Sequence, residues 1–207
     1  DWTAYPFASR NRKDFQNLLE VYLDAAFFPK LDELDFLQEG HRVEFEKNDS
    51  GDDELVYKGV VFNEMKGAMS SPVSTLWQNL AKHLFPTTTY HYNSGGDPEV
   101  IPDLTWEQLK AFHSRHYHPS NAVFFTYGDI PAEQHQVEFE QRVLAQFDHL
   151  DVDFSVPDEQ RYAAPVAVTE TYALDPQEDG ARKAHLVVGW LLGPMVDIQA
   201  ALRAHLL

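Results

Sequence analysis

The chain has 207 residues, enough for one large domain or for one and a fraction, and its 16 basic and 33 acidic side chains give a formal charge of −17. So acidic a chain repels phosphate backbones and anionic headgroups, which sets nucleic acid and membrane surfaces aside as partners. At 43% hydrophobic and 13% aromatic it is too apolar for disorder; lacking Cys it has no disulfide, thiolate zinc site or Cys nucleophile, and no apolar run approaches the about 18 residues of a membrane span.

In chain order, residues 2–9 are short, aromatic and roughly alternating, a predicted strand in which Pro6 favours an edge position or an irregularity. Asn11 opens a helix in which Phe15, Leu18, Leu19, Tyr22 and Ala26 share a face. Val21, Ala25 and Phe28 widen that face, so both sides are expected to be covered until Pro29 interrupts. A short helix over Leu31–Gln38 ends at Gly40, His41–Lys47 alternates as a strand, and 48–54 is a solvated loop. Spacing predicts a helix over Gly59–Ser70. Ser71 caps and Pro72 begins the next one, which carries Val73, Leu76, Trp77, Leu80 and Leu84 and stops at Pro86. Ser94-Gly95-Gly96-Asp97-Pro98 reads as a tight turn.

Thr105–His116 has the clearest start signal: Thr105 and Gln108 form a capping box, and Leu104 can staple onto Leu109. After Pro119, Ala122–Tyr127 is expected as a buried strand closed by Gly128, and Pro131–Phe147 as an amphipathic helix. Residues 151–165, acidic and Pro-containing without periodicity, read as a linker. Val166–Leu174 and Ala184–Leu192 then read as strands. Met195–Leu207 reads as a helix that stops on apolar residues with no Gly, Asn or Pro to end it. With a first residue other than Met, this reads as a piece of a larger protein. The order of elements predicts an α+β fold, one unit followed by the opening of a second.

One carboxylate is out of place. At three and four residues either side of Glu64 stand Val60, Val61, Gly67 and Ala68, an apolar face on which a buried carboxylate needs a cation or hydrogen-bond donors. Two readings fit: a structural Glu, paired with a Lys or Arg elsewhere in the fold or standing at the edge of the apolar face, or a metal ligand, since carboxylate oxygen suits zinc when two His supply the rest. The second candidate is His113, His116 and His118, whose density invites zinc. Yet His113 and His116 share the Leu109/Phe112 face at the C-terminal end of a capped helix, where imidazoles favour the dipole and pack on the core. His118 lies beyond that helix. No G-x-S-x-G elbow, Gly-rich phosphate loop, H-E-x-x-H or H-x-x-E-H occurs. The Ser94–Asp97 turn could offer N–H groups to an anion, but as a plain turn it needs no ligand.

Several stretches, in order, resemble one family: Tyr5-Pro-Phe-Ala-Ser9, Asp14-Phe-Gln-Asn-Leu18, Val21-Tyr-Leu-Asp-Ala25 with Phe27-Phe-Pro29, and Gln38-Glu-Gly40. Ser94-Gly-Gly-Asp-Pro98, Leu104-Thr-Trp-Glu-Gln-Leu109 and His116-Tyr-His-Pro-Ser-Asn121 continue the series. Among them, Gly59-Val-Val-Phe-Asn-Glu-Met-Lys-Gly-Ala68 resembles the third-ligand helix of inverted-zincin metallopeptidases, the pitrilysin/insulinase family, and within it the presequence-protease-type branch. The resemblance covers most of residues 1–130 and is mainly topological from the linker onward.

The resemblance implies paired α+β units of an antiparallel sheet packed by helices. Residues 1–155 would be the remainder of a first metallopeptidase-like unit, 156–165 a linker, and 166–207 the start of a second unit cut within a helix. It implies zinc held by two His of an H-x-x-E-H helix, whose Glu is the general base, and by a later Glu that motif matching puts at Glu64. The H-x-x-E-H segment belongs before Asp1 and is not in this sequence. The chain is therefore expected to carry no catalytic residue, to hold no zinc tightly and to cleave nothing alone. Implied partners are unfolded, presequence-like peptides and the remainder of a parent chain, with open sheet edges available for self-association. The implied compartment is the cytoplasm or periplasm in a bacterium and an organellar matrix in a eukaryote. A non-catalytic structural or substrate-guiding homologue of the same fold is the alternative.

Overall fold

The computed structural model describes residues 2–175, 177, 179–193 and 196–206. It is an α+β protein: helices α1 (Arg12–Phe27), α2 (Glu33–Asp35, continued by a π-turn, Phe36–Gly40), α3 (Val60–Met69), α4 (Pro72–Leu84), α5 (Trp106–His116), α6 (Ala132–Arg142) and α7 (Ile198–Ala204), with strands β1 (Arg42–Lys47) and β2 (Asp53–Lys58). The chain divides into two compact units, Asp1–Phe36 with Asp103–Phe154, and Leu37–Pro102 with Ser155–Leu207.

In the first unit Asn11 caps α1, its side-chain oxygen accepting the N–H groups of Lys13 and Asp14 at 2.9 and 3.1 Å. The core forms where Leu19 and Leu23 of α1 meet Val143, with Phe7, Phe27, Phe28, Phe124, Phe139 and Phe147 packed round them. Rings carry much of this contact; Phe124 stacks on Phe139 with centroids 4.4 Å apart. Arg142 clasps the α1 and α6 surfaces, donating to Glu138 at 2.5 Å and to Glu20 at 2.9 Å, and the first bond above all lowers the pKa of Glu138. The capping box of α5 forms as its residues require: the Gln108 N–H donates to Thr105 Oγ1 at 3.2 Å and the Thr105 N–H to Gln108 Oε1 at 2.8 Å. One residue on, Trp106 Nε1 donates to the carbonyl of Leu31, a non-glycine residue held at φ +49°.

Three expectations for this unit are corrected. Val21 and Ala25 are exposed, so α1 is covered along one face only, the line of Leu19, Leu23 and Ala26. Residues 2–9 and Ala122–Tyr127 are not strands, and the latter is not buried: Val123, Phe125 and Tyr127 are 93%, 87% and 97% exposed. Alternation favours an extended backbone, but a strand also needs a ladder, and neither segment has a partner strand among the described residues.

In the second unit β1 and β2 form an antiparallel hairpin, Arg42 opposite Lys58 through Lys47 opposite Asp53. Sequence reading missed β2 and placed its first two residues in the 48–54 loop. The signal was present, because Asn48-Asp49-Ser50-Gly51 precedes the apolar trio Leu55-Val56-Tyr57, a turn followed by a strand. Gly59 then brings the chain against Gly40 so closely that a Cβ would lie 2.1 Å from the Gly40 carbonyl oxygen. From this contact α3 departs. Ser71 caps α4 and Pro72 occupies its first turn, as expected. Val166–Leu174 and Ala184–Leu192 have no ladder either. The second of these lies along α4: a Cβ at Gly189 would meet Leu84 and Leu80, while Leu186, Val188, Trp190 and Leu192 are exposed. Of the helix expected over Met195–Leu207, Ile198–Ala204 is helical and capped by Asp197; Met195 and Leu207 lie outside the described residues.

Candidate functional site

Glu64 sits at the middle of α3, whose inner side is marked by buried Phe62 and half-buried Met65 and Met69. Val60, Val61, Gly67 and Ala68 flank Glu64 on the helix surface as spacing requires, and all of them are exposed, Glu64 included. The expectation of a buried carboxylate is thus corrected: this apolar face is uncovered, so the charge keeps its water. Nor does the Glu64 carboxylate have an ion pair or hydrogen bond among the described residues. It is an unengaged acid on an exposed patch of valine, glycine and alanine.

A turn at 93–97 lies against α3. The Gly96 N–H closes it onto the Asn93 carbonyl at 3.0 Å, and the Asn93 side chain accepts the Gly95 N–H at 2.9 Å. Gly95 lies so near Met65 that a Cβ would be 2.3 Å from its sulfur. Gly95 therefore serves a close approach of the turn to the inner side of α3, while Gly96 supplies the positive φ of the turn, and the turn acts as a prop for the helix that displays Glu64.

The three clustered histidines point to separate partners. His113 donates from Nε2 to the Ala26 carbonyl at 3.0 Å and stacks on Tyr117 at 4.7 Å. His116 lies on Phe112 at 4.3 Å and near Phe154 at 4.5 Å. His118 accepts the Ser120 N–H on Nδ1 at 3.1 Å, capping the following turn. Each ring has a structural task. No group of three or more His, Asp or Glu among the described residues could hold a metal ion.

Two features escaped sequence reading. Glu159, in the 151–165 segment, receives the Thr87 hydroxyl at 2.6 Å and the Thr87, Thr88 and Gln160 N–H groups at 2.9, 3.0 and 2.7 Å. Desolvation raises its pKa, but those bonds together outweigh it and bring the carboxyl down to about 2. In the first unit, a cavity opens beside the start of α1 with Arg10, Arg12 and His135 in its wall. Its only legible sign was the run Arg10-Asn11-Arg12-Lys13 in a strongly acidic chain.

Comparison with known proteins bears on residues 103–207, just over half of the chain, which match the family described as Peptidase M16 inactive domain. The chain is 47% identical over 212 residues to a mitochondrial presequence protease of Xenopus tropicalis, covering 100% of this chain and 20% of that protein. It is 48% identical over 200 residues to the mitochondrial presequence protease of Danio rerio, covering 95% and 19%. It is 38% identical over 200 residues to Protein HypA of Clostridium perfringens, covering 95% and 20%. The chain spans about one fifth of the length of these curated relatives. No helix among the described residues is long and apolar enough to cross a membrane. By the match over its second half and the relatives that align along its length, the chain belongs to the M16 peptidase family, on its presequence-protease-like branch.

Proposed function

We propose that this chain is the part of a zinc-dependent metalloendopeptidase for unfolded, presequence-like peptides that carries the third zinc ligand, Glu64, the H-x-x-E-H helix standing elsewhere in the parent protein. The observation that carries this reading is the state of Glu64: a carboxylate on an exposed apolar helix face, unengaged by any cation of its own chain among the described residues. A paired Glu would support the bland alternative of a structural ion pair; its other form, a solvated Glu at the edge of an apolar face, is separated from the metal reading by the Glu64→Gln test below. The donor fits zinc as one ligand of a set, since carboxylate oxygen joins imidazole nitrogen in such sites. When bound, zinc would polarise a scissile carbonyl and lower the pKa of its water toward neutrality. Within this chain, Gly59 and the 93–97 turn position α3, and Glu64 is the group they present.

The division at 155 and 166 belongs to the same proposal, with residues 1–155 completing a first α+β unit and 166–207 opening a second. The exposed rows Val123, Phe125, Tyr127 and Leu186, Val188, Trp190, Leu192 support it, because alternating apolar side chains on an extended, unpaired backbone suit a sheet completed by other segments. The same rows make self-association of the isolated chain an expected outcome, read by light scattering. Alone, with one ligand of the zinc set, the chain neither holds zinc through dialysis nor cleaves peptides. The compartment follows the source, an organellar matrix in a eukaryote and the cytoplasm or periplasm in a bacterium.

The test compares the parent protein with its Glu64→Gln form for zinc content, peptide hydrolysis and far-UV circular dichroism. Loss of zinc and hydrolysis with an unchanged spectrum supports the reading; a Glu64→Gln protein that keeps both refutes it. The second reading, a non-catalytic structural or substrate-guiding homologue, has one observation in its favour, the description of the matching family as an inactive domain. That match covers residues 103–207 and leaves Glu64 outside it. Absence of zinc from the parent protein would favour this second reading.

A further inference from the structure

The cavity beside α1 has a volume of about 310 Å³, within the range of small-ligand pockets. Ser9, Arg10, Arg12, Phe15, Tyr127 and His135 are among the residues that line it. The N–H groups of Lys13 and Asp14 are already taken by the Asn11 cap. Arg12 is paired with Asp129 at 3.3 Å, an ion pair exposed at both ends. Arg10 has no ion pair or hydrogen bond to another side chain among the described residues.

His135 is the telling group. It is 7% exposed, and its contacts are rings, Phe15 at 5.9 Å and Phe139 at 6.2 Å, with no hydrogen bond to either nitrogen among the described residues. Glu138 is already engaged by Arg142 and by Gln16 at 3.2 Å. Neither ring nitrogen is sealed from solvent, since Thr88 Oγ1 is the one buried side-chain polar atom left without a partner among the described residues, so the imidazole can offer an N–H in a cavity wall it shares with the unengaged guanidinium of Arg10.

We propose that this cavity binds a carboxylate carried on an apolar residue, the chemistry of a free peptide C-terminus. Arg10 supplies the charge and a forked donor, the ring N–H of His135 a further hydrogen bond, and Phe15 the wall for the apolar side chain. That the carboxylate belongs to a peptide rests on the peptidase reading above; that the site takes an anion rests on the cavity itself.

Isothermal titration of the 207-residue chain at low ionic strength tests it, with an acetylated tripeptide ending in leucine as the free acid, the same peptide as its C-terminal amide, and inorganic phosphate. The expected result is saturable binding of the acid, at least tenfold weaker binding of the amide, and a tenfold or greater loss for Arg10→Gln that Arg10→Lys partly restores. Circular dichroism of each variant guards against misfolding. Equal binding of acid and amide, no binding of the acid, or an Arg10→Gln chain that binds as before overturns the proposal. Phosphate binding as tightly as the acid overturns its peptide part by marking an unselective anion site. The readout is heat rather than hydrolysis, so failure here leaves the role of Glu64 standing, and failure of Glu64 leaves this site to its own test.

Discussion

Truncating Leu19 probes whether the aromatic shell of the first unit depends on the α1 face that the structure buries. Leu19 is 4% exposed and packs with Leu23 and Val143 inside the ring of phenylalanines. Leu19→Ala removes three carbons, worth about 2.4 kcal/mol at about 0.8 kcal/mol per buried methylene. The rings around the site cannot all close on the space, and a residual cavity adds about 24 cal/mol per Å³, so the expected loss is about 3–4 kcal/mol. Urea unfolding followed by far-UV circular dichroism measures it. Val21→Ala, on the same helix at a position 61% exposed, serves as the control and is expected to stay within about 0.5 kcal/mol. A loss under about 1 kcal/mol at Leu19, or equal losses at the two positions, refutes the one-faced packing of α1.

Thr105→Ala removes the acceptor of the Gln108 N–H and should cost about 1 kcal/mol in the same urea assay, while Thr105→Ser should not. Gly59→Ala drives a methyl into the Gly40 carbonyl and should destabilise the second unit by about 1–3 kcal/mol, read as a lowered urea midpoint. Glu159 titrates near 2 when folded against an ordinary value of 4.5, so its stabilisation is complete above 4.5 and disappears as pH falls toward 2. Glu159→Gln should therefore flatten the acid limb of a pH–stability curve in that window and leave its slope near neutrality unchanged. Glu64→Gln should change stability by less than about 0.5 kcal/mol, because the side chain is exposed and unengaged; a larger loss would reveal a structural partner.

Local features were legible in proportion to how locally they are made. The Thr105–Gln108 box, the Asn11 cap and the Ser71-Pro72 start each involve residues within one helical turn, so their geometry follows once the residues are in order. Ala122–Tyr127 and Ala184–Leu192 were legible as extended, alternating segments. Their status as strands was not, since a ladder requires a partner that neither segment specifies. The opposite failure occurred at β2, where a partner was at hand in β1 and the short trio after the loop was overlooked. The cavity was out of reach altogether, because Arg10 and His135 stand far apart in sequence and meet only through the packing of the first unit.

The residues alone determined that Glu64 stands among Val60, Val61, Gly67 and Ala68 on one helix face, that His113 and His116 lie at the end of a capped helix with His118 beyond it, and that the Ser94–Asp97 stretch must turn. Tertiary structure alone decided that the Glu64 face is open rather than buried, that His113, His116 and His118 diverge to separate partners, and that the turn props α3 through Met65. The physical reason is range: helical periodicity and capping follow from torsions and hydrogen bonds over three or four residues, whereas exposure of a face depends on which distant segments come to lie against it.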